Sequence, residues 1–239
     1  MSMNPRLLRP RATGFNPKSI SGLSLWLDAA DASTITTGTG VSEWRDKSAT
    51  GSTWTQATGN NQPSTGTATI NGRNVVVFDG TNDSLSASAP LNTSMPLTMF
   101  VVQRISTATI AGMTYAAGTG DAFNVRQAGS TSGFLEIIAG GGRVFLGSSN
   151  RTGINDIVSV TFPSATDASL FVNGASQSPL TNATLKPTLT GTHYIGRRAD
   201  GFYLNGQVAE IVAYATELST SQRRAVEAYL GKKWGITVV

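Results

Sequence analysis

The feature that most constrains the fold is a succession of short apolar runs that are separated by turn residues and not by helical repeats. Residues 23–27 alternate between leucine and other side chains, which is typical of a half-buried strand. Residues 75–78 and 97–102 are apolar on both faces, as expected for a strand that is covered on both sides. Seven further strand candidates lie at residues 122–126, 134–138, 143–147, 157–162, 169–172, 193–195 and 207–214. This series of short strands predicts an all-β, two-sheet antiparallel sandwich.

One short helix is expected at the C-terminus, over residues 219–234. Ser219 and Gln222 form a capping-box pattern at its start, and Gly235 is a typical stop signal. Its apolar stripe, expected to pack on the sandwich, consists of Val226, Tyr229, Leu230 and Trp234. The basic residues expected to lie largely outside that stripe are Arg223, Arg224, Lys232 and Lys233.

Three Asn-Gly pairs, at residues 71–72, 173–174 and 205–206, lie at the edges of predicted strands. Type I′ turns need two residues with positive φ, and Asn-Gly supplies them at low cost. All three pairs are therefore predicted to be hairpin turns.

Composition favours one large domain, because a hydrophobic content of 39% in 239 residues can form a full core. The chain has no cysteine, so neither disulfides nor thiolate metal sites can hold the fold. No apolar stretch is long enough to span a bilayer, and no export signal is visible. We therefore expect a soluble protein that is synthesised in a reducing cytoplasm.

The net charge of +4 is carried by the N-terminus, because residues 1–18 contain four basic residues and no acid. Prolines in residues 1–22 disfavour regular structure there, which predicts an extended arm followed by the sandwich at residues 23–239. The residues expected to bind a partner are Arg6, Leu7, Leu8, Arg9, Arg11, Phe15 and Lys18. An acidic protein surface is the favoured partner, because so few charges without interleaved aromatics bind nucleic acid only weakly. A disordered tail is the alternative.

Four segments carry a resemblance to a known family, namely residues 25–29 (LWLDA), 44–48 (WRDKS), 77–83 (VFDGTND) and 206–235. They resemble the concanavalin A-like lectin/glucanase family with its laminin-G-like jelly roll, as it occurs in bacteriophage structural proteins. The resemblance implies a jelly-roll sandwich. It implies little about activity, because this fold hosts lectins, glycosidases and virion proteins.

Candidate catalytic residues are few. A retaining glycosidase needs two carboxylates about 5–5.5 Å apart, whereas Glu136 and Glu210 each stand alone on their strands. The single histidine, His193, has no serine-nucleophile motif to serve and is expected to be a packed or surface residue. We therefore predict no catalytic residues and a protein that is not an enzyme.

Two loops are candidate binding sites. Asp79, Asn82 and Asp83 supply oxygen ligands that suit calcium, although the same residues are typical of a tight turn, which is the favoured interpretation. A polar loop is the candidate glycan site, with Arg197, Arg198, Asp200, Phe202 and Tyr203. Trp44 and Trp54 are expected to anchor loops in the core rather than stack on a sugar.

These observations together predict a bacteriophage virion structural protein, made in the host cytoplasm and located in the virion. The favoured role is capsid decoration, or a comparable accessory role, with anchoring through the arm to capsid or tail subunits in a homo-oligomeric assembly. The alternative is a module of a tail or head fibre that binds a host surface glycan. A glycan hydrolase is the least favoured role. Nucleic acid, a membrane and a cofactor other than calcium are not expected.

Overall fold

The computed structural model describes residues 14–91, 95–107, 113–118, 122–127, 134–164, 167–177 and 189–239. In chain order the strands are β1 (Leu23–Asp28), β2 (Ile35–Thr37), β3 (Val41–Arg45), β4 (Thr53–Thr55), β5 (Ser64–Ile70), β6 (Arg73–Asp79), β7 (Leu85–Ser88), β8 (Leu97–Ile105), β9 (Met113–Ala117), β10 (Phe123–Gln127), β11 (Phe134–Ala139), β12 (Gly142–Asn150), β13 (Asn155–Phe162), β14 (Ser169–Val172), β15 (Ala175–Gln177), β16 (Thr192–Ile195) and β17 (Asn205–Tyr214). The helix α1 follows at Thr220–Trp234. Among the described residues, no helix is long and apolar enough to cross a membrane.

The strands form two antiparallel sheets. Sheet 1 has the order β15-β14-β13-β8-β17-β6-β5, and β1 also pairs with β17. Sheet 2 has the order β12-β11-β10-β9-β16-β7-β4-β3-β2. The predicted class, an all-β two-sheet antiparallel sandwich with one short C-terminal helix, is confirmed.

Two apolar layers hold this architecture together. The inner layer lies between the two sheets, and the helix layer lies between the outer face of sheet 1 and α1. Strand β8 contributes Met99 and Val101 to the inner layer and Phe100 to the helix layer, which explains why its sequence is apolar on both faces. Burial of each large side chain contributes about 1.5–3 kcal/mol.

The predicted role of Trp44 and Trp54 as anchors is confirmed. They face each other across the β3–β4 pair, and both are fully buried in the inner layer. The loop-rich segment between β1 and β5 therefore gains its order from two aromatic side chains that reach between the sheets.

Helix α1 has the predicted caps. The Ser219 hydroxyl accepts the amide of Gln222 at 3.3 Å, and the Ser219 amide donates to the Gln222 side chain at 3.0 Å. Gly235 ends the helix in the left-handed region with a φ of 68°. Val226, Leu230 and Trp234 are buried against sheet 1.

The placement of two basic residues of the helix corrects the prediction. Arg223 is only 5% exposed, because it lies over the ring of Phe171 and donates to Glu227 at 2.7 Å. Lys233 is also largely buried, in ion pairs with two carboxylates. A charge pattern read on one helix cannot show the acidic and aromatic partners that other segments bring to it.

Two of the three Asn-Gly turns are confirmed, at residues 71–72 and 173–174, since all four residues have positive φ. The third prediction is wrong: Asn205 and Gly206 lie in β17, paired with β6 and β8. A Cβ added at Gly206 would lie 2.4 Å from the carbonyl oxygen of Arg104. This glycine is therefore required by a close approach of neighbouring strands and not by a turn.

The end of the predicted arm packs on the body. Residues 1–13 lie outside the described part of the chain, and Pro17–Ser19 form a short 3-10 turn. Pro17 and Ile20 are buried, and the Tyr214 hydroxyl donates to the Pro17 carbonyl at 3.0 Å. The predicted boundary at residue 22 stays a prediction.

Candidate functional site

The outer face of sheet 2 carries a row of side chains that crosses several strands. His193 and Ile195 on β16 are buried toward the inner layer, so Tyr194 between them points outward.

Strand pairing places Tyr194 beside Ser86 of β7, and Ser86 beside Thr55 of β4. On the other side Tyr194 pairs with Ala116, and the row continues to Asn124 and Ile138. Tyr194 and Ser86 are half-buried and Thr55 is exposed, so this part of the row is open to solvent.

The loop from Gly196 to Leu204 closes over one side of this row. Its base is fixed by the Leu204 amide, which donates to the Gly196 carbonyl at 2.8 Å, and by a β-bridge between Arg197 and Tyr203. The guanidinium of Arg197 lies 4.5 Å from the centre of the Tyr194 ring. The loop therefore places its first arginine directly on the outward-facing tyrosine.

Gly196 allows this path. Its φ is 85°, and a Cβ at this position would lie 2.2 Å from Cδ1 of the buried Phe78. Only glycine fits a left-handed backbone that passes so close to a core ring.

All five predicted glycan-binding residues lie in this loop. Arg198 lies 4.4 Å from the Phe202 ring centre and donates to Asp200 at 2.6 Å. Hydrogen bonding to the Arg198 guanidinium lowers the pKa of Asp200 below its usual value, so that carboxylate is ionised at neutral pH. Arg197, Arg198, Phe202 and Tyr203 are half-buried, and Asp200 is exposed. The structure brings these residues together, and their role as a glycan site stays a prediction.

Two buried polar atoms near the loop have no hydrogen-bond partner among the described residues. They are Nε of Arg197 and the hydroxyl oxygen of Thr114, a residue that lies on β9 and is fully buried. The Thr114 carbonyl accepts the Gly196 amide at 3.2 Å, which places Thr114 at the start of the loop. Buried polar groups in proteins are nearly always hydrogen-bonded, so we expect an ordered water molecule beside each of these atoms.

A charged cluster flanks the row on β10, β11 and β12. Glu136 is fully buried and faces Arg126 across the β10–β11 pair, with 2.6 Å between their polar atoms. Arg143 of β12 donates to the other oxygen of the same carboxylate. Glu136 therefore stands alone on its strand, as the sequence indicated, but it is neutralised by two arginines.

His193 is a packed core residue, as expected. Its Nε2 lies 3.0 Å from the Leu189 carbonyl, which can only accept, so Nε2 carries the proton. Its Nδ1 then accepts the hydroxyl of the fully buried Tyr115 at 2.6 Å. Burial lowers the pKa of His193 to about 4, so the imidazole is neutral at physiological pH.

Sequence reasoning missed a polar cluster in the helix layer, centred on Glu210. A bulge in β17 between Val208 and Glu210 interrupts the alternation of side chains. The Glu210 carboxylate, which is fully buried, consequently faces helix α1. It accepts four hydrogen bonds, from Trp26 Nε1 at 2.8 Å, Tyr229 OH at 2.8 Å, Trp234 Nε1 at 2.7 Å and Lys233 Nζ at 2.7 Å.

Asp28 belongs to the same cluster. It lies opposite Glu210 in the β1–β17 pair, and Lys233 Nζ also contacts its carboxylate at 2.6 Å. Lys47 contacts the other oxygen of Asp28 at 3.0 Å. Glu210 is thus not the isolated carboxylate that its strand suggested, because Asp28, which is distant in sequence, shares a cation with it. Both carboxylates are buried under α1, so the cluster fastens the helix to sheet 1.

The predicted calcium residues form a tight turn. Asp79 accepts the amides of Thr81 at 2.8 Å and Asn82 at 3.3 Å, and Asp83 accepts the amide of Asp79 at 3.0 Å. Burial, assisted by the nearby charge of Asp79, raises the pKa of Asp83 to about 6. No group of three or more His, Cys, Asp or Glu side chains suited to a metal lies within the described ranges. These contacts agree with the turn interpretation, and calcium binding stays a prediction.

Only two of the predicted arm residues can be placed. The ring of Phe15 packs 5.6 Å from that of Tyr229 on helix α1, and Lys18 is exposed. Arg6, Leu7, Leu8, Arg9 and Arg11 lie outside the described residues.

Comparison with known proteins finds no matching family and no matching curated protein. Solved structures do match in fold. Trypanosoma rangeli sialidase matches with a TM-score of 0.63 at 16% identity, over 92% of this chain and 34% of the sialidase. The binding domain of Paraclostridial Mosquitocidal Protein 1 matches with a TM-score of 0.63 at 11% identity, over 91% of this chain and 53% of that one.

A third match covers most of this chain and nearly all of the matched domain. Domain 4 of AbnA, a GH43 extracellular arabinanase from Geobacillus stearothermophilus, was solved in complex with arabinotriose. It matches with a TM-score of 0.59 at 13% identity, over 84% of this chain and 95% of the domain. By contrast, this chain spans about a third of the length of the sialidase.

These matches correct one prediction. The expectation of a protein that is not an enzyme is contradicted, because the sialidase and the arabinanase are glycosidases that contain this fold. None of the three matches described is a bacteriophage protein. At 16% identity or below the likeness shows the fold alone, and the chain therefore has the β-sandwich fold that these proteins share.

Proposed function

We propose that this chain is a carbohydrate-binding module that holds an oligosaccharide on the outer face of sheet 2, beside the loop from Gly196 to Leu204. The observation that carries the proposal is the contact of the half-buried Arg197 guanidinium with the outward-facing Tyr194 ring, 4.5 Å from the ring centre. Sugar hydroxyl and ring oxygens are acceptors for the N–H groups of a guanidinium.

The physical reason lies in the stack itself. A guanidinium is planar and presents its N–H donors in a fixed fork, so contact with an aromatic ring limits the directions in which those donors can point. Vicinal hydroxyls of a pyranose or furanose can then accept two parallel hydrogen bonds. Tyr203, which is half-buried on the same loop, adds an aromatic surface for the C–H face of a sugar.

The open end of the row supplies further polar groups. Ser86 and Thr55 follow Tyr194 across neighbouring strands, and their hydroxyls both donate and accept. A chain of sugars laid across the strands would meet one such group on each strand. The complex of the AbnA domain with arabinotriose supports the proposal, because a domain of this fold and size binds an oligosaccharide.

A glycan array probed with the full chain tests the proposal. We expect reproducible binding of an oligosaccharide, reduced at least tenfold in Arg197→Ala and in Tyr194→Ala. Arg224→Ala is the matched control, because it removes the same charge from an exposed position on α1, beyond sheet 1. Absence of any bound glycan, or equal binding by the two site variants and the control, would contradict the proposal.

We also propose, from the N-terminal sequence, that residues 1–18 anchor the module to an acidic surface of a capsid or tail subunit in a bacteriophage virion. The glycan proposal favours a tail or head fibre as the location, because a host surface glycan is then within reach. Co-sedimentation of the tagged chain with purified particles tests this role, and consistent recovery only in the free protein fraction would argue against it.

A further inference from the structure

A groove lies on the side of helix α1 that does not face sheet 1. Its volume is about 620 Å³, and its apolar wall is formed by Phe15, Ala225, Ala228 and Tyr229. The three helix residues follow one another at helical spacing and form a stripe separate from the buried one that packs on sheet 1. The two alanines leave room beside the rings of Phe15 and Tyr229, so the groove can accept a large side chain.

The rim of the groove is basic. Arg73, Lys232 and Lys233 line it, and no acidic side chain does so within the described residues. Lys233 is neutralised by Asp28 and Glu210, and Arg73 is fixed by donating to the Lys233 carbonyl at 3.0 Å. Lys232 is exposed. The positive charges of Lys232 and Arg73 are therefore available to a ligand in the groove.

We propose that this groove binds an acidic peptide segment of a partner protein, with an aromatic or large aliphatic side chain in the apolar part and carboxylates on the rim. An apolar centre with a charged rim is typical of protein interfaces, and Arg or Lys pairs well with carboxylates there. The chain's own first thirteen residues are unsuited by charge, since Arg6, Arg9 and Arg11 have the same sign as the rim. The groove lies beyond the helix layer, so this binding is independent of the proposed glycan site.

A peptide library displayed on phage and selected against the full chain tests the proposal. We expect enrichment of sequences that combine an aromatic or leucine residue with two or more acids. Ala228→Trp fills the groove from an exposed position and should abolish binding of the enriched peptides. Lys232→Glu should weaken it at least tenfold.

The matched control is Arg224→Glu, which makes the same charge change at an exposed position of α1 outside the groove lining. It should weaken binding by less than threefold, and thermal melts of all variants exclude loss of fold as the cause. Failure to enrich any peptide, or enrichment of neutral or basic sequences, would overturn the proposal. Equal binding of phosphatidylserine vesicles by the wild type and Ala228→Trp, without peptide binding, would show a membrane-directed basic surface instead.

Discussion

Replacement of Glu210 by glutamine should lower the free energy of unfolding by about 3–5 kcal/mol, the range for breaking a buried ion pair by removing one partner. The fully buried carboxylate accepts from Trp26, Tyr229, Trp234 and Lys233. A glutamine amide has one acceptor oxygen, so two of the four donors would face an NH₂ group. Each donor left unpaired costs about 1–3 kcal/mol. Asp28 still holds Lys233, which keeps the loss from rising further.

Urea denaturation measures this loss, followed by tryptophan fluorescence and by circular dichroism. Trp26 and Trp234 both contact the carboxylate, so their emission should also report the change in the folded state. Glu43→Gln is the matched control, because Glu43 forms a solvent-exposed pair with Arg45 and should cost less than about 1 kcal/mol.

A double variant measures the coupling free energy between Glu210 and Lys233. Glu210→Gln combined with Lys233→Met removes both charges, so its loss should be smaller than the sum of the two single losses. A loss below about 1 kcal/mol for Glu210→Gln alone, or strict additivity in the double variant, would refute the assignment of this cluster as the fastening of helix α1.

Two further predictions concern the site and the core beneath it. The pKa of His193 is about 4 in the folded protein and near 6.5 when unfolded, so the unfolded state binds the proton first and stability should fall as the pH drops from 6.5 to 4. The difference in unfolding free energy between wild type and His193→Gln should change by about 3 kcal/mol across that window, and an unchanged difference would exclude a buried neutral imidazole. Gly196→Ala should destabilise by about 2–4 kcal/mol through backbone strain and the clash with Phe78, and should reduce glycan binding. Gly201→Ala in the same loop, with φ of 95° and free space around it, should cost about 1 kcal/mol, and equal losses in thermal melts would contradict the role of the clash.

The strands could be predicted because their signals are local. Residues 97–102 are apolar on both faces, and β8 does separate two apolar layers. The caps of α1, Ser219 and Gly235, are also local signals, and both occur where expected. In each case the residues that determine the conformation lie within one turn or one strand.

The polar cluster could not be predicted, because it depends on contacts between distant segments. Asp28, Glu210 and Lys233 meet only after β1 pairs with β17 and α1 packs over both. The bulge in β17 adds to the difficulty, since alternation counted from Val208, which lies in the inner layer, would direct the Glu210 side chain to that layer as well.

The candidate glycan site was partly predictable. The loop residues 197–203 were found from their polar and aromatic composition. Tyr194, Ser86 and Thr55 were missed, because their adjacency follows from the order β16-β7-β4, which no local pattern reveals. The alternation of His193 and Ile195 around Tyr194 was the one signal that could have identified the outward-facing tyrosine.

The stacking of sheet 2, sheet 1 and helix α1 has a geometric consequence. Packed sheets lie about 10 Å apart, and a packed helix adds a comparable distance, so the mid-plane of sheet 2 and the axis of α1 are separated by roughly 20 Å, and the outermost surfaces lie farther apart. They also point in opposite directions. The two proposed sites therefore lie on opposite sides of one rigid spacer, so that a ligand at one site would not obstruct a ligand at the other.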